Sequence, residues 1–235
     1  MVEESNILGN SYVLLALTFA VFIVASRLSR RWGNVFFNPI LITIVVLIAV
    51  LKLGGVSYSS YAAGGDLISF WLKPAVVALG VPLYRQLASI RRQALFILMA
   101  ELAGCVAGIV SVVLVAQWLG ASREVVLSLA SKSVTTPIAM EVTQAVGGIP
   151  ALSAAVVVCV GIFGGMTGFR VMAISGVRSP VAQGLSMGTA AHAVGTSMAI
   201  SAAGYRYGAW ASLGLTVNGM LTAMLTPSIL SLMGV

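Results

Sequence analysis

Two polar stretches interrupt long apolar runs, and between them they hold most of the side chains able to do chemistry. The first is Ser131-Lys132-Ser133-Val134-Thr135-Thr136-Pro137, followed by Ile138-Ala139-Met140-Glu141. It sets an ammonium among hydroxyls and ends on a helix breaker. Pro137 suits the first position of a restarting helix, with Thr136 as its cap. Free amides and the dipole at such an end attract anions, and Lys132 beside it adds a full positive charge. That combination fits a small carboxylate. The alternative is that Lys132 snorkels to the membrane surface and the threonines only cap. The second stretch, Gly188-Thr189-Ala190-Ala191-His192-Ala193-Val194-Gly195-Thr196-Ser197, carries the chain's one histidine. Thr189 is placed to cap a second half-helix with His192 near its first turn, and Thr196 and Ser197 would line the same cavity. A neutral imidazole there would donate to a carboxylate oxygen or pass on a proton; otherwise it is a buried histidine satisfied by a carbonyl. Glu141, one turn beyond Pro137, is the second candidate for proton coupling, unless it holds a structural ion pair. Glu101 carries the same two readings; only about two turns from the cytoplasmic end of its run, where it would face water, it is read as structural.

These residues must be positioned by membrane helices. The chain has 235 residues, 59% hydrophobic and 8% charged, with a mean hydropathy of +1.05. A soluble domain would carry roughly 25% charged residues. The expected fold is all-α: a polytopic membrane helix bundle of about 6–8 spans, read as a single transport-type domain over residues 1–235. Kinkable polar backbone at membrane depth survives only where protein or a water-filled cavity shelters it, and such places mark solute paths.

The apolar runs are Tyr12 to Ala25, Pro39 to Leu53, Leu67 to Tyr84 (kinked by Pro74 and Pro82), Ala94 to Leu119, about Val125 to Val146, Ala151 to Met172, Val181 to Ala203, and Gly208 to about Met233. A turn-rich segment holding Asp66 precedes the third. Met-Val-Glu-Glu-Ser lacks the positive start of a cleavable signal, and Arg27, Arg30 and Arg31 follow the first run, so the N-terminus is expected outside. If run five crosses the membrane, Arg170 and Arg178 fall outside, against the positive-inside rule. If run five is a re-entrant hairpin they fall inside, and run seven becomes a second hairpin from the opposite face. Two hairpins meeting near the midplane would form an inverted repeat around a solute site. Both topologies stay open on sequence grounds.

Other classes are excluded by what accompanies the charge. The net charge of +7 sits at the ends of apolar runs, with no basic face interleaved with aromatics, so nucleic acid is not a partner. Cys105 and Cys159 match no metal or redox spacing. No nucleophile elbow, phosphate loop or paired-carboxylate constellation appears, so neither an enzyme nor a bound cofactor or metal is expected. Gly104-x-x-x-Gly108, Gly161-x-x-x-Gly165 and Gly164-x-x-x-Gly168 permit close helix approach. That approach is read first as packing within a protomer, with a homo-oligomer also expected.

The blocks Pro74-Ala75-Val76-Val77-Ala78-Leu79 with Pro82-Leu83-Tyr84, Lys132 to Met140, Gly147-Gly148-Ile149-Pro150-Ala151-Leu152-Ser153-Ala154, and Gly188 to Thr196 resemble the LrgB/CidB family over essentially the whole chain. That family includes bacterial antiholin-like membrane proteins and the membrane domain of the plant plastid glycolate/glycerate translocator. The resemblance implies one of two activities. One is transport of small monocarboxylates such as glycolate, glycerate or pyruvate. The other is control of murein hydrolase export and lysis with a small LrgA/CidA-like membrane partner. It carries Lys132, Thr135, Thr136, Pro137, Thr189 and His192 over as motif positions. It implies an inner-membrane location and, together with the residues, favours transport.

Overall fold

A computed structural model of the chain describes residues 10–32, 39–78, 84 and 87–235. Among the described residues there are nine α-helices and no strands: α1 (Ser11–Trp32), α2 (Pro39–Leu53), α3 (Tyr58–Ala78), α4 (Leu87–Trp118), α5 (Arg123–Ala130), α6 (Thr136–Val146), α7 (Pro150–Ile174), α8 (Pro180–Ala203) and α9 (Tyr205–Leu232). The all-helical, polytopic expectation is met. Four stretches, Ser11–Ser29, Gln93–Trp118, Pro150–Ile174 and Tyr205–Leu232, are long and apolar enough to cross a bilayer, and α2 is a shorter apolar helix. Pro82, Leu83, Arg85 and the first nine residues lie outside the described residues.

The chain divides into two compact units, residues 1–76 and 77–235. In the first, the Thr18 hydroxyl of α1 lies 3.1 Å from the Tyr61 hydroxyl of α3. A Cβ on Gly64 would stand 2.5 Å from the Ser11 carbonyl, so only glycine lets those backbones meet. These contacts explain why the Asp66 segment, expected as turns, is helical: its propensity is poor, but tertiary packing holds it. α3 also runs on through Pro74.

In the second unit, α7 acts as a ruler. Its 25 residues rise about 37 Å. At its start the Ile149 amide donates to Ser128 Oγ of α5 at 2.7 Å. One turn on, Ser153 Oγ is 3.4 Å from Ser131 Oγ, and Val157 packs on Val134 and Ala139. The Val157 carbonyl also accepts from His192 Nε2 at 2.9 Å. Beyond it Gly161, Gly164 and Gly168 face His192, Ala191 and Met187 in turn, and Met172 packs with Met187 and Ala199. The first third of α7 therefore packs mainly on α5 and α6 and meets His192 of α8 at Val157. The rest packs on α8 and, through Phe169 and Met172, on Tyr207 and Ala211 of α9.

Both interrupted runs turn back on themselves. A straight path from Ser128 to Ile149 would cover about 30 Å, yet the two are hydrogen bonded. Ser131 Oγ likewise reaches Thr143 Oγ1 at 3.0 Å and the Ala139 carbonyl at 3.2 Å. So α5 and α6 form a hairpin, hairpin 1, with its turn at residues 131–135. The 11 residues of α6 rise about 16 Å, half a hydrocarbon core. α8 folds back at a single residue, His192, whose φ is 42° and ψ −131°. A Cβ on Gly195 would overlap the Met187 carbonyl, whereas in a straight helix those residues stand about 12 Å apart. Gly165 accordingly touches Val194 and Met198 on the outbound leg while Gly164 and Gly168 touch Ala191 and Met187 on the inbound one. This is hairpin 2.

α4 and α9 pass both hairpins. On α4, Ile97 packs with Leu185, a Cβ on Gly104 would stand 3.2 Å from the Thr189 methyl, and one on Gly108 would be 3.8 Å from Ser133 Oγ. Further along, Ile109, Val113 and Ala116 pack on Val126, Leu127 and Ala130. α4 thus runs from the mouth of hairpin 2 to the mouth of hairpin 1, and α7 runs the other way. Helix-plus-hairpin occurs twice in opposite sense, α4 with hairpin 1 and α7 with hairpin 2, and α9 closes the unit. Gly104 and the α7 glycines face side chains of hairpin 2 at close range, whereas Gly108 leaves room for a Cβ. α4 starts at Leu87 rather than Ala94 because Arg91 and Arg92, outside the apolar run, still continue the helix.

Candidate functional site

The tips of the two hairpins meet midway along α4, α7 and α9. Asn218 of α9 joins them: its Nδ2 donates to the Ser133 carbonyl at 3.0 Å and to the Thr189 carbonyl at 3.2 Å. Two carbonyl acceptors fix which end of the amide is nitrogen. Asn218 Oδ1 then points elsewhere, and it has no hydrogen-bond partner although the residue is 1% exposed. Thr135 Oγ1, in a residue 8% exposed, is the second buried side-chain atom left without a partner. Buried polar atoms rarely go unpaired, so two at one junction are open to an ordered water or a bound solute.

Thr135, not Thr136, is the N-cap of α6; its φ and ψ are extended (−67° and 149°) and its hydroxyl makes no capping bond. Thr136 and Pro137 are the first helical residues, so the cap expected at Thr136 falls one position earlier. The Thr135 hydroxyl is buried and unpaired, and Thr135, Thr136 and Pro137 are not on the lining of the cavity that Lys132 enters. Lys132, half-buried beside them, donates through Nζ to Ser133 Oγ at 3.1 Å. Among the described residues no carboxylate pairs with it. It enters a cavity of about 690 Å³ lined by Ser186, Met187, Ala190 and Ala191 of hairpin 2 and by the Cys159–Met172 face of α7. Lys132 is the one charged group on that lining, and the other side chains are apolar apart from Thr167 and Ser186. A cation on an apolar cavity, close in sequence to a helix N-terminus, can hold a small anion.

The other expected residues divide. His192 is 4% exposed and its Nε2 bonds to the Val157 carbonyl, which makes the imidazole nitrogen a donor that locks the tip of hairpin 2 onto α7. Thr189 does not cap a half-helix: the break lies three residues later, at His192. Its hydroxyl instead lies 2.8 and 2.7 Å from the two Glu101 carboxylate oxygens and 2.8 Å from the Leu185 carbonyl. Thr196 bonds back to the His192 carbonyl at 3.0 Å on the outbound leg, and Ser197 is exposed. Glu141 is exposed, on the face of α6 opposite to buried Ala139 and Thr143.

Two residues stand out that the sequence reading did not place in the site. Glu101, read there as structural and facing water, is 2% exposed and bonded to Thr189 of hairpin 2. Its depth was misjudged because α4 begins a full two turns before its apolar run. Asn218 had a usable signal: it is the one amide in α9, in a stretch with no charge after Arg206.

The sequence profile of the LrgB-like family matches residues 18–232. A Staphylococcus epidermidis protein named holin-like protein CidB is 30% identical over 220 residues, covering 94% of this chain and 96% of its own. A Bacillus mycoides protein named antiholin-like protein LrgB is 33% identical over 202 residues, covering 86% and 87%. A Haemophilus influenzae protein described only as uncharacterized is 36% identical over 221 residues, covering 94% and 95%. No solved structure matches the chain. The chain belongs to the LrgB-like family.

Proposed function

We propose that this LrgB-like chain is a carrier of small organic anions, short monocarboxylates of the glycolate, glycerate or pyruvate kind, working in a bacterial cytoplasmic membrane without catalysing a reaction. One observation carries the reading. Two opposed hairpins abut at Asn218, and at that junction lie unpaired buried oxygens, a free helix N-terminus and Lys132. Opposed broken helices with helix ends aimed at one point suit alternating access around a solute. Charge supports an orientation. Arg91, Arg170, Arg178 and Arg206 all fall at the mouth of hairpin 2, against Arg123 at the mouth of hairpin 1, so the mouth of hairpin 2 faces the cytoplasm.

Counterflow of labelled glycolate, glycerate and pyruvate in proteoliposomes tests the reading. A charge-assisted hydrogen bond contributes about 1.5–3 kcal/mol. Lys132→Ala is therefore expected to raise the half-saturating concentration roughly 10–100-fold while the protein still folds. No counterflow of any short carboxylate would discard the carrier.

The relatives' names favour a second reading, control of lysis as holin-like or antiholin-like proteins. That role needs a membrane partner, of the LrgA/CidA kind, more than a charged pocket. It predicts that lysis phenotypes survive Lys132→Ala and that such a partner co-purifies.

A further inference from the structure

Glu101 lies outside the cavity that holds Lys132, and the binding site as described makes no use of it. It sits on α4, buried, against the tip of hairpin 2. We propose that Glu101 is the proton-binding residue of this carrier, and that the Thr189 hydroxyl latches hairpin 2 to α4 only while that proton is bound. The inference rests on the carrier reading above.

Hydrogen counting is the core of the argument. Thr189 has one hydroxyl hydrogen, and three acceptors lie within 2.8 Å of its oxygen: both Glu101 oxygens and the Leu185 carbonyl. If Glu101 is ionised, the single hydrogen goes to one carboxylate oxygen, the Leu185 carbonyl keeps its helical amide, and a buried anion is left without a cation among the described residues. If Glu101 carries a proton, the chain closes: the Glu101 O–H donates to Thr189 Oγ1, and the Thr189 O–H donates to the Leu185 carbonyl. Every hydrogen then has an acceptor, and no net charge is buried in the membrane.

Among the described residues, the surroundings offer no rival charge. Hairpin 2 presents Thr189; its own histidine is turned to Val157 on α7. α9 presents Gly214, where a Cβ would stand 3.0 Å from Glu101 Oε1, and one turn on Asn218, whose amide points to carbonyls. On α4 itself the nearest titratable group is Cys105, paired with Thr222 at 3.4 Å. Lys132 lies at the other hairpin's tip, on the α7 side, in the cavity.

The step balances as a plain proton transfer. When the tip of hairpin 2 leaves α4, water replaces Thr189 and accepts the proton, leaving a hydrated carboxylate and hydronium. Closing again requires one proton to return to Glu101 before the hydroxyl can relatch. Because the latch belongs to the hairpin that also lines the anion cavity, closing around a substrate takes up one proton. Coupling thus lies in α4 and hairpin 2, while substrate charge is met by hairpin 1.

The test uses the full chain reconstituted in proteoliposomes, in three forms: unaltered, Glu101→Gln and Thr189→Val. Glu101→Gln keeps a neutral donor of the same shape. It is expected to retain labelled-glycolate counterflow, to lose accumulation driven by an inward proton gradient, and to lose proton uptake seen by a trapped pH dye. Infrared difference spectra are expected to show a protonated-carboxyl band in the unaltered protein that is absent from Glu101→Gln and shifted in Thr189→Val. Gradient-driven accumulation by Glu101→Gln, or a carboxyl band that survives the substitution, overturns the inference. Should the unaltered protein show no counterflow, the carrier reading fails, and the infrared band alone decides whether Glu101 holds a proton. Should Glu101→Gln fail to fold, an unshifted carboxyl band in Thr189→Val overturns the latch.

Discussion

Hairpin 1 and hairpin 2 occupy mirrored places and are built by different means. Hairpin 1 turns through five residues and is sewn together by side chains. Ser131 Oγ joins Ala139, Thr143 and Ser153, and Ser128 Oγ takes the Ile149 amide. Hairpin 2 turns at one residue with a positive φ. No side-chain bond is seen between its legs among the described residues; glycines let backbone lie on backbone instead, Gly195 on Met187 between the legs and Gly188 on Ala211 and Leu215 of α9. Directional bonds hold one register, whereas smooth glycine contacts resist sliding weakly. The difference teaches which half is the frame and which the moving part. Hairpin 1 presents a fixed, positively charged tip. Hairpin 2, held through His192 and Thr189, is the part that the carrier reading expects to shift past α7 and α9.

The largest expected effect comes from roughening the smooth side. A Cβ on Gly188 would collide with the Ala211 carbonyl and the Leu215 amide, which are backbone and cannot swing aside. Gly188→Ala must push hairpin 2 off α9. Its cost is expected at or above the usual overpacking range, about 3 kcal/mol or more, read as loss of monodisperse protein in detergent or a large fall in Tm. Gly108→Ala is the matched control toward hairpin 1. Its Cβ would meet only Ser133 Oγ at 3.8 Å, and alanine favours the helix by up to about 1 kcal/mol, so Tm should hold or rise. Equal damage from both would erase the contrast.

Cutting a stitch in hairpin 1 is expected to cost less, though still clearly more than the like change in hairpin 2. Ser131→Ala removes the group that Thr143 and Ser153, both fully buried, share. A buried polar group left unpaired costs about 1–3 kcal/mol. Ser197→Ala, an exposed hydroxyl on the outbound leg of hairpin 2, should change Tm within noise. Thermal unfolding of the two variants in one detergent checks the pair. A silent Ser131→Ala would mean that the hydroxyl network is not what holds hairpin 1.

The contrast was only half legible in the sequence. Thr135-Thr136-Pro137 announces a helix start by local chemistry, since proline and a hydroxyl cap act on their own neighbours, so the break in run five was readable to within one residue. Arg170 and Arg178 raised the hairpin topology because charge obeys the membrane, not the fold. The break at His192 was placed near Thr189 because the true hinge residue carries no breaker; its φ is imposed by packing against Gly161 and Val157. Glu101 and Asn218 gained their roles through contacts with Thr189, 88 residues away, and with Ser133, 85 residues away, which no local pattern records. The same holds for Asp66, whose helix depends on Gly64 meeting Ser11.

The smallest effect concerns the hinge itself. His192 sits at a φ that glycine adopts freely and other residues adopt at a cost of about 1–3 kcal/mol. Its bond to the Val157 carbonyl returns about 1 kcal/mol. His192→Ala loses the bond and keeps the strain; His192→Gly loses the bond and relieves it. The glycine variant should therefore melt higher than the alanine variant, by an amount equivalent to about 1 kcal/mol, although it has less side chain to pack. If instead alanine is the more stable of the two, the strain at residue 192 is not stored energy, and hairpin 2 has no sprung hinge to set against the stitched turn of hairpin 1. If glycine equals or exceeds histidine, the imidazole is retained for a role at the tip other than holding it to α7.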